Sequence, residues 1–286
     1  MNLRCEGGGS PTVLLDAGWA GDSMAWTRVA ALESGRRRVC AVDRAGMGFS
    51  DPGPLPRDAA AIARDLGRLL NSAHLHGPFI LVGHSAGALY MLTFAAGRPH
   101  QIAGIVLVDP TVPHGDRRYS ELLGPGVGSL EPLIERSTRC LEASRHHALP
   151  SADAALARCT PSRRPGEPDQ QYRVELAQSL RPSLWETQLS EVSTLESASS
   201  DEAEAAGPSL ARTPLIVLTA ADSNAGLPPA ARAIVDGITR RWHGEMAKVS
   251  SRGVWRLVPG SSHLMPIDRP DAIVEAIDQI GRSPAQ

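Results

Sequence analysis

At 286 residues, with 42% hydrophobic and 21% charged side chains, the chain has the composition of a soluble globular protein and room for one large α/β domain or two small ones. Its formal charge of -2 gives no electrostatic ground for a nucleic-acid partner or an anionic membrane surface. No apolar run approaches the ~18 residues that cross a bilayer, and no charged-then-apolar leader opens the chain.

Taken in chain order, short apolar runs at 13–16, 39–43, 79–82, 105–109, 215–219 and 255–258 predict buried strands. They lack strict alternation, which suits a parallel sheet covered on both faces. The run Arg36-Arg37-Arg38 before the second of them reads as a solvated strand entry. Between the runs lie helical spacings. Residues 59–73 place Ile62, Leu66, Leu69 and Leu70 on one face, and 270–280 repeat Ile273, Ile277 and Ile280. Strand and helix in alternation predict a doubly wound, mostly parallel α/β sheet. Residues 113–208 read differently, with few strand candidates and much Pro, Ser and Glu toward 190–208. We expect a mainly helical insertion there, dividing a core of 1–112 and 209–286. The alternative is a disordered linker, but 130–141 and 172–189 carry enough apolar residues to pack. Residues 199–202 could be a hinge or an ordered turn.

The most informative stretch is Phe79-Ile80-Leu81-Val82-Gly83-His84-Ser85-Ala86-Gly87. An apolar strand enters G-x-S-x-G and leaves into the helix-forming Ala88-Leu89-Tyr90-Met91-Leu92. A sharp strand-to-helix turn holds its serine in strained backbone, and Gly83 and Gly87 flank it because side chains there would collide. Such a turn lifts the Ser85 hydroxyl above the sheet. It also aims the helix N-terminus, with the Ala86 N–H, at the reacting centre.

Four stretches resemble the α/β-hydrolase superfamily: this elbow, Asp43-Arg44-Ala45-Gly46-Met47-Gly48-Phe49-Ser50-Asp51, residues 214–222, and Pro259-Gly260-Ser261-Ser262-His263. They occur in the superfamily's order and span most of the chain; 113–208, where a cap would lie, contributes almost nothing. The resemblance implies the α/β-hydrolase fold with Ser85 as nucleophile. His263, in the loop after the last strand, is the expected base. His84 should point away from the Ser85 side chain and pack or hydrogen-bond beneath the site, while His114, His146 and His147 read as surface residues. Two carboxylates compete to orient the base. Asp222 follows the strand after which the superfamily usually carries its acid, and is preferred. Asp109 is the alternative; preceding Pro110, it could instead cap a turn. For the oxyanion, the expected donors are the backbone N–H groups of Ala86 and Trp19. The superfamily commonly has His-Gly where this chain has Ala17-Gly18, a mild departure because the donor is a backbone group. The Trp19 indole could wall an acyl pocket or fill the core.

The cysteines, Cys5, Cys40, Cys140 and Cys159, show no C-x-x-C spacing. In the superfamily's strand order the strand of Cys40 neighbours an edge strand at 2–5, which predicts a Cys5–Cys40 disulfide. Cys140 and Cys159, a helical hairpin apart within the cap, form the second expected pair. Two disulfides would place the chain in an oxidising compartment, secreted or periplasmic, after loss of a leader; four buried thiols would leave it cytoplasmic.

The expected activity is hydrolysis of a small-molecule ester through an acyl-enzyme, with short to medium acyl chains favoured and no metal or organic cofactor required. A lactonase, thioesterase, acyltransferase, perhydrolase, amidase or peptidase could use the same residues. Epoxide hydrolases and dehalogenases of this pattern use an Asp nucleophile, which Ser85 replaces. A protein that binds a small apolar ligand without turnover is the rival of another class.

Overall fold

The computed structural model describes residues 1–163 and 168–282. Within them the strands are β1 (Asn2–Glu6), β2 (Thr12–Asp16), β3 (Val39–Asp43), β4 (Phe79–His84), β5 (Ile102–Val108), β6 (Leu215–Ala220) and β7 (Gly253–Val258). They form one sheet in the order β1-β3-β2-β4-β5-β6-β7. β1 runs antiparallel to β3, and the other pairings are parallel. The helices are α1 (Thr27–Glu33), α2 (Ala59–Ser72), α3 (Gly87–Ala96), α4 (Gly115–Leu123), α5 (Glu131–Arg145), α6 (Asp169–Ser179), α7 (Pro182–Leu195), α8 (Ala198–Ala206), α9 (Pro229–Ala247), α10 (Met265–Asp268) and α11 (Pro270–Gly281). This is the doubly wound α/β-hydrolase fold.

The unbroken apolar runs of the central strands follow from covering both faces. Side chains alternate across a sheet. Leu14, Leu81, Leu107 and Val217 therefore join α2, α3 and α8 on one side. Val13, Ile80, Val82, Val106 and Leu218 join α1 and α11 on the other. α2 starts where the Asp58 carboxylate accepts the Ala61 N–H at 2.7 Å, and it buries Ile62, Leu66 and Leu70.

Five helices, α4 to α8, lie between β5 and β6, so the inserted region is helical where it is described. It is not one separate layer. Ala203 and Ala206 of α8 and Val192 and Leu195 at the end of α7 sit in the core cluster with α2 and α3. Residues 199–202 fall inside α8, with Ser199 and Ser200 fully buried, so that stretch is ordered helix. α5 and the start of α7 instead share a small cluster of Cys140, Leu141, Cys159 and Trp185. Cys140 and Cys159 form a disulfide with Cα atoms 5.3 Å apart. Cys5 and Cys40 face each other in the β1–β3 register and form the other.

Candidate active site

The site grows from the end of β4. Ser85 has φ 51°, a left-handed conformation costly for a residue with a Cβ. The turn is held by its own backbone: Ser85 N–H donates to Val108 C=O at 3.0 Å, and Ser85 C=O accepts from Ala88 and Thr111, each at 3.0 Å. The flanking glycines have a steric reason. A Cβ at Gly83 would lie 2.5 Å from Gly87 O, and one at Gly87 would lie 2.6 Å from both Asp16 O and Ala17 O. Ala86 follows as the N-cap of α3, so its N–H belongs to the unpaired first turn of a ten-residue helix.

Residues 16–21, after β2, press on this elbow. A Cβ at Gly18 would stand 3.0 Å from Ser85 Cβ, so the Gly18–Trp19 peptide lies beside Ser85. The Trp19 indole N–H donates to Gln188 C=O of α7 at 2.8 Å, and the ring packs on the edge of the core, with the Arg136 guanidinium 5.0 Å from its centroid.

His263, in the loop after β7, places Nδ1 2.7 Å from Asp109 Oδ2. Val108 pairs with His84 in the sheet, so Asp109 stands one strand over, level with Ser85. Its Oδ1 accepts the Ala220 N–H at 2.9 Å, and Oδ2 also accepts the Ser223 hydroxyl. Burial pushes the Asp109 carboxyl up, but the hydrogen bond and charge of His263, with His243 and Ser223, outweigh it and hold the group below the usual carboxylate range. The preferred acid, Asp222, is not brought to His263. β6 ends at Ala220, and the chain beyond carries Asp222 to a half-exposed rim, where it pairs with Arg232 of α9. The end of β6 serves Asp109 instead, through the Ala220 N–H. The alternative, Asp109, is the carboxylate that meets His263.

His84 does lie beneath the site. Its Nε2–H donates to the backbone C=O of His263 at 2.7 Å, tying down the loop after β7. Burial, with the nearby His263, pushes its imidazole down to about 4, so it is neutral at pH 7. His146 and His147 are exposed, as expected. His114 is not: it is 7% exposed, with Nδ1 3.1 Å from Glu196 C=O and Nε2 3.2 Å from Asp201, because α8 folds back over it.

Sequence reasoning missed several partners. Thr111 Oγ1 lies 3.5 Å from Ser85 Oγ. Behind Asp109, a hydrogen-bond chain runs inward from the Trp255 indole N–H to Thr219 Oγ1 at 2.8 Å and on to the buried His243 Nδ1 at 2.7 Å. His243 Nε2–H then donates to Pro110 C=O at 2.9 Å, holding the residue next to the acid. Burial lowers the His243 pKa, as suits this neutral tautomer. Nothing in the local sequence of α9 marks His243, whereas Ser223 and Thr111 each sit close after a strand end, where such residues gather.

A cleft of about 710 Å³ opens between the core and the inserted helices. Its walls include Ala20 and Gly21 of the loop after β2, Met47, Trp185, Gln188 and Ile267. Among the described residues no helix is long and apolar enough to cross a membrane.

Comparison with known proteins agrees with this architecture. An esterase from Thermogutta terrifontis superposes with a TM-score of 0.63 at 22% identity, over 98% of this chain and 92% of that one. An enol-lactonase from Burkholderia xenovorans gives a TM-score of 0.66 at 17% identity, over 99% and 96%. A 2-(acetamidomethylene)succinate hydrolase of Mesorhizobium japonicum is 31% identical over 160 residues, 55% of this chain and 56% of that protein. A lipase of Mycobacterium tuberculosis is 33% identical over 121 residues, 41% of this chain and 46% of that protein. The chain thus spans about half the length of these two curated relatives. The model of the alpha/beta hydrolase family matches residues 13–276, nearly the whole chain, and the chain belongs to that family.

Proposed function

We propose that the protein is a serine hydrolase, specifically a carboxylesterase acting on short- to medium-chain esters. One observation carries the reading: a serine at positive φ on a strand-to-helix elbow shares the end of the sheet with a 2.7 Å His263–Asp109 pair. Ser85 Oγ turns from Thr111 to the ester carbonyl as His263 Nε2 takes its proton. Asp109 keeps the proton of His263 on Nδ1 and stabilises the imidazolium. The Trp19 and Ala86 N–H groups hold the oxyanion. The tetrahedral adduct collapses, the alcohol leaves with the proton from His263, and the Ser85 acyl ester remains. Water, deprotonated by the same imidazole, then releases the acid.

The serine separates this reading from family members that open epoxides or displace halide with a carboxylate nucleophile. The likeness to a protein named as a lipase supports an ester substrate. The two disulfides support residence in an oxidising compartment. The test is turnover of p-nitrophenyl esters from two to sixteen acyl carbons by wild type and Ser85→Ala, with fluorophosphonate labelling of both. Labelling of wild type alone, with activity falling by roughly 10³-fold or more in the variant, is expected. No labelling and no turnover at any length would overturn the reading in favour of a ligand-binding role.

A further inference from the structure

Arg44 lies in the loop after β3, and its guanidinium is almost wholly buried (1% exposed). All five of its N–H groups are used. Nη1 donates to Asp16 Oδ1 at 2.6 Å and Ala17 C=O at 2.8 Å. Nη2 donates to Gly18 C=O at 3.0 Å and Glu191 Oε2 at 2.9 Å. Nε donates to Glu191 Oε1 at 2.9 Å. The Tyr90 ring, its centroid 5.0 Å away, supports the cation from α3.

Two of these acceptors are the carbonyls that lead into Trp19. In a trans peptide the C=O and the following N–H point in opposite directions. With Gly18 C=O turned onto Arg44, the Trp19 N–H is turned away from it, and Gly18 itself packs on Ser85 Cβ. The bidentate partner, Glu191, belongs to α7 of the inserted helices. One turn earlier on α7, the Gln188 carbonyl holds the Trp19 indole. One helix thus grips the oxyanion loop twice, once through Arg44 and once directly.

We propose that Arg44 and Glu191 are positioning residues that couple docking of α7 to assembly of the oxyanion hole, so that the Trp19 N–H is aimed at the reacting oxygen only while α7 is seated. The proposal rests on the serine-hydrolase reading. It makes the inserted region part of the catalytic geometry as well as a wall of the cleft.

Glu191→Gln tests it, keeping the shape while removing the charge that clamps the fork. The expected result is a fall in kcat of about 10-fold to 100-fold with KM within about threefold of wild type, the signature of an interaction strengthened in the transition state. Affinity for an arylboronic acid, which forms a tetrahedral adduct on Ser85, should fall in parallel. Hydrogen exchange of the amides of residues 17–20 should quicken. Glu186→Gln, which breaks an exposed pair with Arg145 on the same helix, should change none of these. If Glu191→Gln does not fold, Arg44→Lys keeps a buried cation but loses the fork, and the same kcat-specific loss is expected. A variant that melts earlier yet keeps wild-type kcat, boronate affinity and loop exchange would overturn the coupling. Absence of turnover and boronate binding in wild type would instead overturn the serine-hydrolase reading, and loop exchange would still decide the coupling.

Discussion

His263 Nδ1 and Asp109 Oδ2 meet at 2.7 Å across 154 residues of sequence, from a half-exposed imidazole to a carboxylate only 4% exposed. A buried carboxylate with three donors stays ionised, and it needs no help from Asp222. Asp109→Asn should therefore lower kcat by about 10³-fold to 10⁴-fold, because an amide cannot hold the productive tautomer or balance the imidazolium. Asp222→Asn should stay within about threefold of wild type, as expected of a rim ion pair. Steady-state kinetics of the two variants on one ester decides between the carboxylates, and equal losses would reject the assignment.

His84 gives a pH dependence of defined sign. Its imidazole titrates near 6.5 in the unfolded chain and about 4 in the fold, so the unfolded chain binds more protons between those values. The contribution is complete above pH 6.5 and is lost as pH falls toward 4. Asp16 runs the other way: burial, opposed by Arg44, raises it from 3.8 to about 6, so over that window acidification favours the fold. The two partly cancel in wild type. In His84→Gln the His84 contribution alone is removed while Asp16, Asp109 and His243 titrate as before, so the stability difference between the proteins should change by up to about 3 kcal/mol between pH 7 and pH 4. Urea unfolding at stepped pH measures it; parallel curves would rule out the assignment.

Gly87→Ala places a methyl 2.6 Å from two carbonyl oxygens of the oxyanion loop. The elbow or that loop must move, at a cost of about 1–3 kcal/mol. Melting temperature and kcat should fall together. A variant with wild-type values in both would show that the loop has slack.

The disulfides close stretches of 35 and 19 residues. On chain entropy alone, they should contribute about 4 and about 3 kcal/mol respectively. Guanidinium unfolding of Cys5→Ser/Cys40→Ser and Cys140→Ser/Cys159→Ser proteins tests this. Titration of free thiols in the untreated protein should give none, and reactive thiols would contradict the pairing.

Much of the fold was legible because local signals and global structure agree. Residues 39–43 and 79–82 are apolar on both faces, as strands between two helical layers must be, and they lie within β3 and β4. The stretch 172–189 was less legible: it spans α6 and α7, which part at Arg181 and Pro182. A helical period does not reveal which of its faces meets which neighbour.

The elbow is a local object. Gly83, Ser85 and Gly87 carry their own steric logic, so the strained turn and the proposed nucleophile at its tip could be read from nine consecutive residues. The identity of the acid was not local. Asp109 and Asp222 each follow an apolar strand, and the one local difference, Pro110 after Asp109, points to a turn cap and away from the carboxylate that the fold brings to His263. Only the register of β5 against β4, and the turn of the chain beyond β6 toward Arg232, decide which carboxylate reaches His263. The same holds for Arg44, whose motif is visible in the sequence while its partners come from two distant parts of the chain, Asp16 and Gly18 at the end of β2 and Glu191 of α7. Close-range periodicity and turn sterics are written in the sequence itself, whereas electrostatic partners depend on distances that exist only after the sheet has closed and the inserted helices have docked.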